Sequence, residues 1–249
     1  MKISRLLKRL RSAPSVVKHL RVSFSQYGED LILSHLNPQS RGFYVDIGAY
    51  QPRSKSNTYK LYLSGWSGIT IEPNPDVAPS FKKVRPRDMH LNIGVSNSAS
   101  ELTYYKFAEA NTNSFDPRWE QRTGSDVIER QLIKCVTLTD VLDQHCRNRQ
   151  IDLLSVDCEG YDMQVLESLD WGRYRPTVVI VEDFAQFRNG AEPPGPTPIR
   201  AFMLERQYAL ASQAIFSSFY VDRLAFVEST GNEGFRLDNS QLRGLAFQQ

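Results

Sequence analysis

The feature that most constrains the fold is the alternation of short, β-rich apolar segments with helix-like segments. Apolar runs lie at 43–47, 68–71, 91–95, 153–156 and 178–181, and segments with helical periodicity lie at 56–64, 77–84, 138–145 and 162–169. This alternation is typical of β–α–β units, which place their strands in a parallel sheet covered by helices. The sequence therefore predicts an α/β fold.

The remainder of the chain predicts edge elements and two loops. Residues 199–208 are predicted to be helical, and residues 215–221 and 223–227 to be antiparallel strands at the edge of the sheet. Residues 102–107 are predicted to form a hairpin arm. The polar stretch 108–129 has little periodicity and is predicted to be a lid or acceptor loop, and the proline-rich run 189–198 is predicted to be a loop.

Length and composition fit one α/β domain. The chain has 249 residues, of which 41% are hydrophobic and 23% charged, as in ordinary soluble proteins. No stretch approaches the roughly 18 uninterrupted apolar residues of a membrane helix. Cys135, Cys146 and Cys158 follow no metal-ligand or disulfide spacing. These observations predict a reducing, cytoplasmic setting.

The first 22 residues differ in charge from the rest of the chain. They contain seven Lys and Arg residues and no Asp or Glu, and their apolar residues recur at helical spacing. Residues 1–22 are predicted to form a basic amphipathic helix or arm, and residues 23–249 the domain. A single short helix binds anionic membranes weakly, so peripheral contact with the inner face of a membrane, a solvated arm and packing against the domain stay open. No nucleic-acid partner is indicated.

Acidic residues lie at the ends of four of the predicted strands. They are Asp46 near the end of the first strand, Glu72 after the second, Asp157 with Glu159 after the fourth, and Glu182 with Asp183 after the fifth. In an open α/β sheet the ligand lies outside the carboxyl ends of the strands, so these acids mark the predicted site. Crowded carboxylates repel one another unless a cation, hydroxyl groups or backbone N–H groups meet them.

The turn after the first strand indicates a cofactor without phosphates. Gly48 is followed by Ala49 and Tyr50 rather than by the further glycines that let a pyrophosphate approach the backbone, and the P-loop pattern is absent. A nucleoside cofactor would still use Gly48 for close approach, and it would use Glu72 to accept hydrogen bonds from the ribose hydroxyls. S-adenosylmethionine fits this specification.

Five motifs in this order resemble the FkbM family of S-adenosylmethionine-dependent methyltransferases. They are SQYGED at 25–30, FYVDIGAYQP at 43–52, SNTY at 56–59, GWSGITIEPNP at 65–75 and IDLLSVDCEGYDMQVLESLDW at 151–171. The resemblance extends from about Ser25 to Glu182 and weakly to Tyr220. It implies the class I methyltransferase fold, a Rossmann-like, seven-stranded, mostly parallel sheet with helices on both faces. It also implies O-methylation of a sugar hydroxyl in a glycan, polysaccharide or glycosylated metabolite.

Residues at the strand ends and helix starts are predicted to bind the cofactor. These are Gln26, Asp46, Gly48, Ala49, Ser56, Asn57, Glu72, Pro73, Asn92 and Asp157. Ser56 and Asn57 open a helix whose free N–H groups could receive the methionine carboxylate, or they only cap it. Asn92 lies where the adenine edge is usual in this fold. The segment 49–52 departs from the Ala-Asn-x-Gly pattern of many family members, which leaves the contacts to the methionine end open.

Asp157 is predicted to be the catalytic base. Methylation of a hydroxyl requires the nucleophile near the methyl carbon and the removal of a proton from a weak acid. Asp157 follows the fourth strand directly, and this position faces the transferred methyl group. Glu159, two residues further on, shares the role of base or holds the sugar. Asp157 with Glu182 or Asp183 could instead hold Mg²⁺, although a metal-free site is favoured.

Two alternative functions stay open from the sequence. Asp157-Cys158-Glu159 could act as an Asp-x-Asp-like metal site of a nucleotide-sugar glycosyltransferase. A methyltransferase-like domain without activity could instead be a scaffold in glycan assembly. Neither the saccharide nor its hydroxyl, nor the oligomeric state, follows from the sequence.

Overall fold

The computed structural model describes residues 19–37, 40–146, 149–184 and 196–228. Most of the basic arm, predicted over 1–22, lies outside the described residues, as does most of the loop predicted over 189–198. The predicted boundary of the domain at residue 23 therefore stays a prediction.

A seven-stranded sheet forms the centre of the molecule. Its strands are β1 (Phe43–Ile47), β2 (Ser67–Ile71), β3 (Met89–Leu91), β7 (Leu153–Val156), β8 (Val178–Glu182), β9 (Tyr208–Gln213) and β10 (Ser217–Asp222). Their spatial order is β3-β2-β1-β7-β8-β10-β9. β10 runs antiparallel to β8 and to β9, whereas the other pairings are parallel. This is the class I methyltransferase arrangement, and the fold prediction is confirmed.

Helices cover both faces of this sheet. They are α1 (Glu29–Leu36), α2 (Tyr59–Leu63), α3 (Ala78–Val84), α4 (Trp119–Thr123), α5 (Leu138–His145), α6 (Asp162–Glu167), α7 (Pro198–Glu205) and α8 (Arg223–Glu228). Every residue of β1, β7 and β8 is buried, because central parallel strands are covered on both sides. Alternate strand residues therefore enter two separate cores, one with α1 and α2 and the other with α5, α6 and α7.

A second, three-stranded sheet is inserted between β3 and β7. It consists of β4 (Gly94–Val95), β5 (Ser100–Phe107) and β6 (Val127–Val136) in the order β4-β6-β5. β5 and β6 pair antiparallel along almost their full length, and the segment between them includes α4. The hairpin arm predicted at 102–107 is confirmed as β5, whereas its partner strand β6 was not predicted.

Two predicted elements are corrected by the structure. The strand predicted over 91–95 is divided, because Met89–Leu91 pairs with β2 while Gly94–Val95 pairs with β6. The strand predicted over 223–227 is the helix α8. The second edge strand is instead β9, which pairs with β10. Within the described ranges, no helix has the length and apolar character needed to cross a membrane.

Candidate active site

A cleft opens at the carboxyl ends of β1, β2 and β7. Its empty space, open mouth included, is about 700 Å³. Parallel strands end at the same edge of a sheet, so the turns after them meet there. Several of the predicted site residues line this cleft, namely Gln26, Gly48, Glu72, Pro73, Asp157 and Glu159.

Gly48 allows the turns after β1 and β7 to touch. Its φ is 76°, in the left-handed region that favours glycine. A Cβ atom built on Gly48 would lie 1.8 Å from the carbonyl oxygen of Asp157. The N–H groups of Gly48 and Ala49 both donate to the carbonyl of Ile71, at 3.0 and 3.1 Å. The turn is therefore fixed between β2 and β7, and the space that a Gly48 side chain would fill is taken by the turn after β7.

Glu72 is buried at the end of β2, and its carboxylate is held by three donors. Oε2 accepts from the N–H of Tyr50 at 2.9 Å, and Oε1 accepts from the N–H of Asn74 at 2.8 Å and from the hydroxyl of Tyr104 at 3.2 Å. Burial raises the pKa of Glu72 to about 7, although the two backbone donors oppose this shift. A carboxylate oriented in this way presents its remaining lone pairs to the cleft, which suits the hydroxyls of a ribose.

Asp157, Glu159 and Glu182 form a cluster at the ends of β7 and β8, which we call the acidic trio. One carboxylate oxygen of each lies within 4.8 Å of the others. Burial raises the pKa of Asp157 to about 7, and the nearby charges of Glu29 and Asp46 add to the shift. Burial and the charge of Asp157 raise the pKa values of Glu159 and Glu182 well above the usual range.

The acidic trio can hold either protons or a cation. The carboxyl of Glu182 hydrogen-bonds to Asp157, an interaction that raises the pKa of Glu182 and lowers that of Asp157, as expected if Glu182 carries the proton. Oε2 of Glu182 is buried and has no hydrogen-bond partner within the described part of the chain. Three carboxylates are a donor set that hard divalent cations such as Mg²⁺ accept.

Asp183 does not belong to the acidic trio. Its carboxylate accepts a hydrogen bond from the hydroxyl of Thr197, the N-cap of α7. The ligand set predicted from the sequence is therefore revised, with Glu159 in place of Asp183. A strand alternates its side chains between the two faces of a sheet, so adjacent acids at a strand end do not face the same site.

Asp46 lies among polar groups on the face of the sheet that α2 covers. Its carboxylate accepts a hydrogen bond from Thr58, and the buried guanidinium of Arg85 opposes the rise in its pKa that burial causes. Arg85 itself donates to Tyr44 and Thr58, both at 2.9 Å, and pairs with Asp88 at 2.6 Å. The structure thus gives Asp46 a supporting role under the turn rather than a place on the cleft wall.

Ser56, Asn57 and Asn92 also stabilise the turns around the cleft. The Ser56 hydroxyl accepts from the N–H of Tyr59, and Asn57 donates to the hydroxyl of Ser155. The Asn92 amide donates to the carbonyls of Glu72 and Pro73 at 2.8 and 2.9 Å. With Ala49, which is buried, these residues are not among those that line the cleft. Their side chains hold the turns in place, and their predicted contacts with the cofactor stay predictions.

The segment before α1 is anchored by Asp30. Its carboxylate accepts hydrogen bonds from the hydroxyl and N–H groups of Ser23, Phe24 and Ser25. The Glu29 carboxylate accepts from the N–H of Tyr27 at 2.8 Å. These contacts hold Gln26 at the wall of the cleft, so the acids of this motif act locally.

The inserted sheet forms the roof of the cleft. Tyr104 on β5, Phe115 and Tyr161 make an aromatic wall, with ring centroids 5.0 and 5.6 Å from that of Phe115. The Ser114 hydroxyl donates to the carbonyl of Glu159 at 2.9 Å and fixes this roof to the turn after β7. Residues 110–115, within the loop predicted over 108–129, contribute to the lining.

Lys55 and Tyr104 are among the cleft residues that were not predicted from the sequence. Lys55 is the one Lys or Arg that lines the cleft in the described chain, and Tyr104 reaches Glu72 from the inserted sheet. Lys55 stands in a polar turn without periodicity, and β5 lies far along the chain from Glu72. Neither position carries a local sequence signal.

The family model described as "Methyltransferase FkbM domain" matches residues 46–210. The match covers well over half of the chain and extends from β1 to β9. It includes Gly48, Glu72 and the acidic trio. A search of curated proteins finds no match.

Several solved structures resemble the chain weakly. A TehB-like SAM-dependent methyltransferase from Corynebacterium glutamicum is 11% identical, with 88% of this chain and 97% of that chain covered and a TM-score of 0.42. An O-methyltransferase from Bacillus cereus in complex with SAH is 12% identical, with coverages of 89% and 92% and a TM-score of 0.39. A putative caffeoyl-CoA O-methyltransferase from Staphylococcus aureus is 10% identical, with coverages of 86% and 91% and a TM-score of 0.42. These scores are too low to support an argument, so the fold assignment depends on the strand order.

Proposed function

The chain belongs to the FkbM methyltransferase family, and from this premise we propose that it methylates a hydroxyl oxygen of a saccharide. It is an S-adenosylmethionine-dependent methyltransferase with the class I sheet. The saccharide acceptor, in a glycan, polysaccharide or glycosylated metabolite, is the new part of the proposal. The observation that carries it is the acidic trio, whose Asp157 and Glu159 line the same cleft as Gly48 and Glu72.

The floor of the cleft fits the cofactor. S-adenosylmethionine, when bound, supplies a methyl group activated by a sulfonium. Gly48 lines the cleft without a side chain, and Glu72 accepts hydrogen bonds from the ribose hydroxyls. Pro73 and Gln26 also line the cleft. No phosphate is needed for this fit, in agreement with the missing glycines after Gly48.

Asp157 accepts the proton of the acceptor hydroxyl in this proposal. A sugar hydroxyl is a weak acid, and a general base is most effective when its pKa lies near the working pH. Burial brings the pKa of Asp157 to about 7, so a large fraction of the carboxylate is ionised at neutral pH. Glu159 and the amides of Asn111 and Asn113, which also line the cleft, are suited to hydrogen-bond the other sugar hydroxyls.

A divalent cation is the second candidate occupant of the acidic trio. The unpartnered Oε2 of Glu182 favours it, because a buried carboxylate oxygen without a donor is costly. We favour the metal-free site, since a proton on Glu182 already relieves much of the repulsion. With Mg²⁺ present, Asp157, Glu159 and Glu182 would hold it, and the ion would lower the pKa of the acceptor hydroxyl.

The first prediction tests the role of Asp157. Asp157→Asn keeps the shape of the side chain but removes its basicity, so turnover should fall by roughly 10² to 10⁴, while the affinity for S-adenosylhomocysteine measured by calorimetry should barely change. Wild-type activity should also persist in EDTA. Activity that disappears in EDTA and returns with Mg²⁺ would instead make Asp157 a metal ligand. Full activity of the variant without metal dependence would move the base to Glu159 or Glu182.

The acceptor class is tested with a panel of model acceptors. Release of S-adenosylhomocysteine is measured with saccharides, catechols and carboxylic acids as acceptors, and we expect turnover with saccharides. Methylation of catechols or carboxylic acids alone would contradict the saccharide proposal.

Thermal shift with UDP-sugars checks the glycosyltransferase alternative, because a protein gains stability only from a ligand that it binds. Stabilisation by UDP-sugars and not by S-adenosylhomocysteine would favour that alternative.

Location and partners stay proposals of the same kind. We propose a cytoplasmic protein whose arm, residues 1–22, contacts an anionic membrane surface. The support is the excess of basic residues in this segment. Binding to anionic vesicles that is lost when the arm is removed would support this contact.

A further inference from the structure

We infer that Lys55 binds the carboxylate at the amino-acid end of the cofactor. The inference rests on the proposed cofactor site and assigns a residue to the end of the ligand that Glu72 does not reach. S-adenosylmethionine carries a ribose diol, which requires acceptors, and a carboxylate, which requires donors. A cleft that binds the whole molecule therefore needs a donor away from Glu72, and a positively charged donor forms the strongest hydrogen bond to a carboxylate.

The charges that line the cleft leave Lys55 as the candidate. Glu72, Asp157 and Glu159 are its acids, and Lys55 is the sole Lys or Arg among the lining residues. No carboxylate lies within 4.0 Å of its ammonium in the described part of the chain. Its charge does act on the cleft, because it lowers the pKa values of Asp157 and Glu159. An unpaired ammonium beside an acidic site is suited to an anionic group of the ligand.

Several other donors near α2 are already occupied. The N–H of Ser56 donates to the carbonyl of Phe24 at 3.0 Å, and the N–H of Tyr59 donates to the hydroxyl of Ser56. The amide of Asn57 faces Ser155, and α2 has only five residues. The start of α2 therefore offers fewer free donors to a carboxylate than its sequence indicates, which favours Lys55 over the competing explanation.

The backbone holds Lys55 in a fixed position. Its φ is 55°, a left-handed conformation that is unusual for lysine. The residues after it are fixed to Phe24 through Ser56 and to Asp46 through Thr58. The turn is thus anchored on both the segment before α1 and the end of β1. A side chain that starts from such a turn binds with less loss of backbone freedom.

Calorimetry with two ligands tests the inference. S-adenosylhomocysteine carries the carboxylate, whereas 5′-deoxy-5′-methylthioadenosine has the same nucleoside without the amino-acid end. We expect Lys55→Met to raise the Kd for S-adenosylhomocysteine at least about tenfold, as for a lost charge-assisted hydrogen bond, and to leave the Kd for methylthioadenosine within about twofold. Lys55→Arg should restore most of the affinity for S-adenosylhomocysteine.

Arg53 is the matched control. It is exposed, lies two residues away and borders the adjoining surface hollow rather than the cleft. Arg53→Met should change neither Kd by more than about twofold. Equal losses for both ligands in Lys55→Met, or no loss for S-adenosylhomocysteine, would overturn the inference. A wild-type protein that binds neither ligand would instead contradict the proposed function, so the two failures are distinguishable.

Discussion

At the residue scale, Glu72 shows how a strand-end acid is prepared for a ligand. Three of its lone-pair sites already accept hydrogen bonds, two from backbone N–H groups and one from the Tyr104 hydroxyl. The backbone donors fix the plane of the carboxylate, whereas the Tyr104 contact, at 3.2 Å, is the longest. A bound ribose diol would therefore find one free lone-pair site on the Glu72 carboxylate and one site that the Tyr104 hydroxyl already occupies.

The second prediction concerns Glu72. Glu72→Gln keeps the size of the side chain but removes its charge, so binding of S-adenosylhomocysteine should weaken by on the order of 2 kcal/mol. Tyr104→Phe removes only the competing donor and should keep the Kd within about threefold. Calorimetry measures both, with thermal unfolding as a check because the amide also loses one backbone contact. Unchanged binding in Glu72→Gln would remove Glu72 from the site.

The sequence indicated the acids of the site but not which of them face the ligand. Glu72, Asp157 and Glu159 were predictable because they directly follow strands whose ends meet at one edge. Asp46 follows the same rule, yet its partner Arg85 is 39 positions further along the chain, and the ring and hydroxyl groups around that guanidinium come from separate elements. Such a contact depends on tertiary packing, which no local pattern reports.

At the element scale, the site depends on the contact between the turns after β1 and β7. The third prediction is that Gly48→Ala costs on the order of 3 kcal/mol or more in the free energy of unfolding. The added Cβ would collide with the Asp157 carbonyl, and the φ of 76° is unfavourable for alanine. Urea unfolding measures this change, and binding of S-adenosylhomocysteine should be lost with it.

Gly124 provides the control for the backbone conformation alone. It ends α4 with a φ of 67°, and an added Cβ would meet nothing within 4 Å. Gly124→Ala should therefore cost only about 1 kcal/mol. If the two variants were equally destabilised, the collision at Gly48 would not be the cause.

The elements that the sequence did not predict are those whose stability comes from pairing rather than from their own pattern. Only two residues of β6 are buried, and Ile128 and Leu132 are 67% and 68% exposed, so the strand shows no clean alternation. β9 contains Ala and Gln, which are poor strand formers, and pairs with β10. Conversely, residues 223–227 end in the β-forming Phe226 and Val227, but Asp222 accepts a hydrogen bond from the N–H of Leu224 and starts a helix there.

At the scale of the whole molecule, the fourth prediction separates the arm from the domain. Val22 contacts the domain through its carbonyl, which accepts from Lys60, whereas the network around Asp30 begins at Ser23. Deletion of residues 1–22 should leave the Kd for S-adenosylhomocysteine within about twofold. Deletion of residues 1–26 removes the donors of Asp30 together with Gln26, and we expect it to weaken binding and lower the Tm. Loss of binding in the shorter deletion would show that the arm completes the domain.

Burial also gives the folded protein an unusual affinity for protons. The pKa of Glu72 and that of Asp157 are raised to about 7, that of Asp162 to about 8, and those of Glu159 and Glu182 well above the usual range, in each case chiefly by burial. In the unfolded chain these groups titrate near pH 4. Between about pH 5 and 8 the folded state therefore binds more protons than the unfolded state.

The fifth prediction follows from this difference in bound protons. A carboxyl whose pKa is raised on folding contributes stability that is greatest below its unfolded pKa and is lost as the pH rises through its folded pKa. The free energy of unfolding, measured in EDTA, should thus fall from pH 5.5 to 8. His90, whose pKa burial lowers to about 4, acts in the opposite direction only below about pH 6.5. Glu182→Gln mimics the protonated acid. It should reduce the slope of the free energy of unfolding against pH by about the contribution of one bound proton. Glu205→Gln is the control, because this side chain is 77% exposed, and it should leave the slope unchanged. A decline unchanged in Glu182→Gln would mean that Glu182 does not carry the proton of the acidic trio.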